Sequence, residues 1–76
     1  MKNEYKVNFV WDDEALVWIA SSDDILGLIL EHDSFDILVD RVCQTIPELL
    51  VSSLVINDDI FLNISASGYR KVNING

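Results

Sequence analysis

The sequence predicts an α+β domain of β-β-β-α-β order, with one antiparallel sheet covered on one face by a helix. Three observations predict it. Two alternating apolar segments, Tyr5–Trp11 and Leu16–Ser22, flank an acidic turn. A short apolar run, Ile25–Leu30, crosses a glycine and precedes one capped amphipathic stretch. One further alternating segment, Ile60–Ala66, follows it. A chain of 76 residues has room for one sheet and one helix. Such a helix covers one face, so function is expected on the other.

In the first strand Tyr5, Val7, Phe9 and Trp11 alternate with Lys6, Asn8 and Val10, the period of a half-buried strand. Asp12-Asp13-Glu14-Ala15 then reads as a hairpin connection. It lacks Asn-Gly, so a longer loop built on a type I turn is expected. In the second strand Leu16, Trp18 and Ala20 point one way and Val17, Ile19 and Ser21 the other. Large apolar groups on both faces imply that both faces are covered. Asp23-Asp24 marks a turn, Gly27 permits an unusual backbone angle, and Leu28–His32 forms a short third strand.

Ser34 is the expected N-cap, with Asp36 placed favourably for the helix dipole. Phe35, Leu38, Val39, Val42, Ile46, Leu49, Leu50 and Leu54 form one broad stripe at helical spacing. Pro47 removes a backbone donor, which predicts a helix from Ser34 to about Thr45 and a restart at Pro47. Asn57-Asp58-Asp59 is the next turn. In the last strand Ile60, Leu62, Ile64 and Ala66 are expected to face the core, and Phe61, Asn63 and Ser65 to face outward. Residues 1–76 form a single domain, with 67–76 a possible tail that orders on a partner.

Composition narrows the function. Half of the residues are hydrophobic, and mean hydropathy is +0.25. That is apolar for a small domain and implies burial in a protein–protein interface, with homo-oligomerisation the first candidate. No apolar run reaches the roughly 18–20 residues of a membrane span, and no signal-peptide core is present, so a cytoplasmic protein without membrane contact is expected. The net charge of −8 opposes direct nucleic-acid binding. It suits a basic protein partner, although acidic surfaces also serve solubility alone.

No constellation points to catalysis or to a cofactor. The doublets Asp12-Asp13, Asp23-Asp24 and Asp58-Asp59 could hold a divalent metal, but each sits where a turn is needed and none has calcium-loop spacing. His32 has neither an orienting partner nor a nucleophile marked beside it, and reads as structural. Cys43 adjoins the apolar stripe of the helix and reads as a small hydrophobe. Trp11 and Trp18 could stack on bases, but acids take the place of the basic residues that mode requires. Core or interface packing is expected of them. The edge of the third strand could accept a partner strand.

Tyr5-Lys6-Val7-Asn8-Phe9-Val10-Trp11-Asp12-Asp13-Glu14-Ala15, followed by Val17-Trp18-Ile19-Ala20, resembles the opening hairpin of HicB-like antitoxins. It is more similar still to a short family of uncharacterised bacterial domains in that superfamily. Ser22-Asp23-Asp24-Ile25-Leu26-Gly27-Leu28 is similar to that group's aspartate–proline–glycine turn, with Leu26 where proline is usual. Ser34-Phe35-Asp36 resembles its helix entry, and Ile46-Pro47-Glu48-Leu49-Leu50 its helix end. The similarity covers roughly residues 4–66.

The resemblance implies a degraded ribonuclease-H-like core without catalytic residues. It also implies a partner-binding role in which a small basic HicA-like toxin is covered and neutralised. HicB antitoxins usually carry a second, DNA-binding domain, and the similar stretch includes none. The expected function is a non-enzymatic, self-associating interaction domain of antitoxin type, with Tyr5, Val7, Val10, Trp11, Val17, Trp18 and Leu28 as its expected interface. The alternatives are a stand-alone structural oligomer, or a vestigial metal-dependent nuclease-like domain in which Asp12, Asp23 and Asp58 converge.

Overall fold

The computed structural model describes residues 4–50 and 60–74. Three strands come first: β1 (Glu4–Asp12), β2 (Val17–Ser21) and β3 (Ile29–His32). Helix α1 (Phe35–Leu49) and strand β4 (Phe61–Ser67) follow. The expected α+β order holds, with one sheet and one helix among the described residues. The strand order is β3-β2-β1-β4.

The pairing is mixed where a wholly antiparallel sheet was expected. β1 and β2 pair antiparallel, as do β2 and β3, so β3 runs in the same direction as β1. The helical crossover then returns the chain for another strand of that direction, and β4 pairs parallel with β1.

Strand alternation sorts the side chains. Tyr5, Val7 and Phe9 are buried on the helix side and meet Ala20 of β2, with Leu38, Val42 and Ile46 of α1 closing the core above them. Ile25 and Leu28, in the turn before β3, fill the same core. Leu28 lies one residue before β3, whose first residue is Ile29. Tyr5, Val7 and Leu28 were expected at an interface; they instead fill the chain's own interior, in one cluster with Leu38, Val42 and Ile46 of the helix stripe.

Leu62, Ile64 and Ala66 share the helix-side face by register with Tyr5, Val7 and Phe9. Ile64 and Ala66 are nevertheless exposed, because α1 rests over β2 and β3, away from β4. The expectation of both in the core is corrected accordingly.

The helix begins as the sequence predicts. Ser34 is extended at the N-cap and its Oγ accepts from the Ile37 N–H at 3.4 Å. The break expected at Pro47 is absent, and α1 is one helix with Pro47 in its last turn. There the missing N–H frees only the carbonyl of Cys43, an exposed residue. The expectation of Cys43 packed beside the stripe is corrected by that exposure. Leu49 is partly exposed, while Leu50 closes the core and donates its N–H to the Ile46 carbonyl. The expected positions of Leu54 and of the Asn57–Asp59 turn lie outside the described residues.

Candidate interaction site at the hairpin end of the sheet

The face of the sheet opposite α1 carries Lys6, Asn8, Val10, Ile19, Ser21, Ile29, Glu31, Asn63 and Ser65 by register. It is not apolar throughout. Its middle is polar, and the Ser65 Oγ donates to Asn8 Oδ1 across β1 and β4 at 2.7 Å. Apolar groups gather at the hairpin end, where Val10 pairs with Ile19 and Val17 pairs with Asp12. Ile29, 73 % exposed, lies on β3 opposite Ser21, toward the other end of the face.

The hairpin is built by its acids. Asp12 Oδ1 accepts from the N–H groups of Glu14 and Ala15 at 3.0 and 3.2 Å, and its carbonyl accepts from the Leu16 N–H at 2.8 Å. Leu16 closes the loop with φ of 58°, a left-handed conformation unusual for a leucine, so β2 starts one residue later than expected. Asp13 Oδ1 accepts from the Trp11 indole N–H at 2.9 Å. The first acidic doublet therefore organises a turn and anchors a tryptophan.

The second doublet organises the opposite end of the sheet. β2 stops at Ser21, opposite Asn8, which leaves the start of β1 without a neighbour on that side. Side chains substitute for the missing strand. Asp24 Oδ2 accepts from the Lys6 N–H at 2.7 Å, and the Ser22 hydroxyl donates to the Lys6 carbonyl. The same hydroxyl accepts from the N–H groups of Asp24 and Ile25. Asp24 thus sits beside Lys6, six positions and about 20 Å along β1 from Asp12. Asp12 and the Asp23-Asp24 turn lie at opposite ends of the sheet and do not form one site. Among the described residues no group of three His, Cys, Asp or Glu side chains could hold a metal. Asp58 lies outside the described residues.

His32 Nδ1 accepts from the Ser34 N–H at 2.8 Å and lies 3.0 Å from Asp33 Oδ1. It supports the helix entry, as a structural histidine would. Trp11 and Trp18 face the helix side of the sheet. They pack tilted at 5.5 Å between ring centroids, and Trp18 meets Phe35, which meets Phe9 in turn. Gly68 lies against Trp11 so closely that an added Cβ would stand 2.7 Å from the Trp11 Cβ.

Two clefts result, one on each side of the hairpin end. On the helix side Trp11, Trp18, Asp33 and Arg70 line a cleft of about 520 Å³. On the open side Val10 and Ile19 form the floor of a cleft of about 790 Å³, with Asp12, Asp13 and Glu14 on its rim. Of the expected interface residues, Val10 and Val17 lie on the open face and Trp11 and Trp18 on the helix side. Ile19 joins the open-face patch. In the sequence it is an ordinary strand aliphatic, and only the register sets it beside Val10. No helix among the described residues is long and apolar enough to cross a membrane.

A search of curated proteins returns no match. Among solved structures, the chain is similar to a hypothetical protein of the extremely thermophilic bacterium Thermus thermophilus. The two share 30 % identity over 93 % of this chain and 99 % of that one, with a TM-score of 0.65. The profile of a family described as a domain of unknown function (DUF1902) matches residues 4–73. That match takes in all four strands, the helix and most of the segment after β4, and the chain belongs to the DUF1902 family.

Proposed function

We propose that this protein is a non-enzymatic interaction domain of HicB-like, antitoxin type, which self-associates and covers a small basic protein. The observation that carries this reading is the open-side cleft, with Val10 and Ile19 as an apolar floor and Asp12, Asp13 and Glu14 as an acidic rim. An apolar centre inside a charged rim is the usual anatomy of a protein interface. The net charge of −8 gives a basic partner faster encounter and selects against acidic ones. The hairpin that builds this rim is also the part of the sequence that resembles HicB-like antitoxins most fully. Asp12 and Asp13 thus shape the loop and form the rim at once.

The test is co-expression with the small basic product of the neighbouring reading frame. Relief of growth arrest together with co-purification supports the antitoxin reading. A neighbouring product that is neither toxic nor retained by the protein would defeat it. A stable oligomer without a toxin would favour the stand-alone structural reading instead.

A further inference from the structure

Residues 68–74 leave the end of β4 as an arm without regular structure. Tyr69, Val72 and Ile74 on this arm are 92 %, 76 % and 90 % exposed. Three large apolar side chains in seven residues are costly to leave in water. The arm also carries Arg70 and Lys71 and no acid, so it contributes +2 to a chain whose total is −8, and the remaining residues carry −10. The molecule is drawn out to 56 Å in one direction against 18 and 17 Å in the others, with a radius of gyration of 14.8 Å. A compact domain of this length has a radius near ~11 Å. The family match extends to residue 73, so the arm up to that residue is part of the matched domain.

The opposite edge of the sheet offers a seat of matching chemistry. Among the described residues β3 has a strand neighbour on one side only. Beside its free edge runs a groove lined by Leu30, Ile37, Asp40, Arg41, Gln44 and Thr45, and Ile29 and Glu31 lie on the other face of the same strand. In an extended arm Arg70, Val72 and Ile74 share one face, and Tyr69 and Lys71 share the other. An antiparallel register that sets Lys71 opposite Glu31 also sets Val72 opposite Leu30, with Arg70 opposite His32.

We propose that the arm, Gly68–Ile74, adds in trans to the β3 edge of a second copy of this chain, as a fifth strand exchanged reciprocally. Within its own chain the arm does not lie along β3: Gly68 packs on Trp11, and Arg70 shares the helix-side cleft with Trp18 and Asp33. It starts from β4, three strand spacings or about 14 Å from β3. Crossing that distance uses about four of its seven residues at roughly 3.3 Å each, leaving too few to lie along β3. The proposal deepens the self-association reading above and rests on it.

The test uses full-length chains and sedimentation equilibrium. Val72→Asp/Ile74→Asp, at exposed positions that leave the fold intact, is expected to weaken association at least about tenfold. Lys71→Glu and Glu31→Lys are each expected to weaken it roughly threefold. An equimolar mixture of those two single variants is expected to associate more tightly than either variant alone, because in the mixed dimer both exchanged pairs regain opposite charges. Unaltered association of Val72→Asp/Ile74→Asp would overturn the arm exchange and leave self-association to the open face. Failure of the mixture to recover, with each single variant weakened, would also overturn it. An unaltered protein that stays monomeric at every accessible concentration would overturn both readings together.

Discussion

Trp18 meets Phe35 edge-on, with ring centroids 5.0 Å apart and planes at 75°. One ring belongs to β2 and the other to the first turn of α1, so this contact fixes where the helix enters over the sheet. Phe9 on β1 packs against the same Phe35 ring at 5.0 Å. Two strands and the helix therefore share one aromatic junction. Trp18→Ala is expected to lower stability by about 2–3 kcal/mol, less than a fully buried aromatic would lose. Paired with Phe35→Ala, it should show a coupling of about 0.5–1.5 kcal/mol in a double-mutant cycle read by urea denaturation.

Ser22→Ala is expected to lower stability by about 1–2 kcal/mol. It removes one hydroxyl that donates to the Lys6 carbonyl and accepts from two backbone N–H groups. Asp24→Asn should cost less than Asp24→Ala, since an amide oxygen still accepts from the Lys6 N–H. Thermal melts of the three variants check this ordering. Added magnesium should leave the ordering unchanged if the turn alone sets it.

Leu16→Asn is expected to raise stability by about 0.5–1 kcal/mol. Leu16 holds φ of 58°, and asparagine tolerates that left-handed conformation better than leucine. A higher melting temperature with unchanged circular dichroism is the expected readout.

Gly68→Val should disturb Trp11. The added side chain begins within 3 Å of the Trp11 Cβ and close to its backbone, where neither atom can yield cheaply. A shift in tryptophan fluorescence and a loss of about 1–3 kcal/mol are expected.

Val10→Lys/Ile19→Lys places two charges on the open face and leaves the helix-side core untouched. Folding, followed by circular dichroism, should be preserved. Retention of the basic partner should fall at least about tenfold if the cleft is its seat. Unchanged retention would move that seat elsewhere.

Much of this fold is legible in the sequence because the hydrophobic pattern carries it. The alternation in Tyr5–Trp11 identifies β1 and its inward face, and the stripe of Leu38, Val42 and Ile46 identifies the buried side of α1. The serine before Phe35 marks the helix start. Three features escape a local reading. Strand direction depends on the crossover, and no residue in β4 distinguishes parallel from antiparallel pairing. Pro47 looks like a break, yet position within the last turn makes it harmless. Side-chain burial of Tyr5, Val7 and Leu28 in the helix-side core depends on where the helix lies, so part of an apolar surplus that suggests a partner is absorbed inside the chain. The site was legible in part. The acidic turn is plain in the sequence, but the meeting of Val10 with Ile19 beneath it depends on register, and the approach of Gly68 to Trp11 depends on tertiary packing.

The β1–β4 ladder has a consequence for biosynthesis. Asn8 and its partner Ser65 are 57 positions apart in the chain. β1 therefore waits for β4, made 57 positions later, before its second edge is closed. Such distant closure is slow relative to local hairpins and leaves a sticky margin exposed on the nascent polypeptide. During that interval the earlier β1–β2–β3 meander must persist largely on its own contacts, the aspartate-built turns among them.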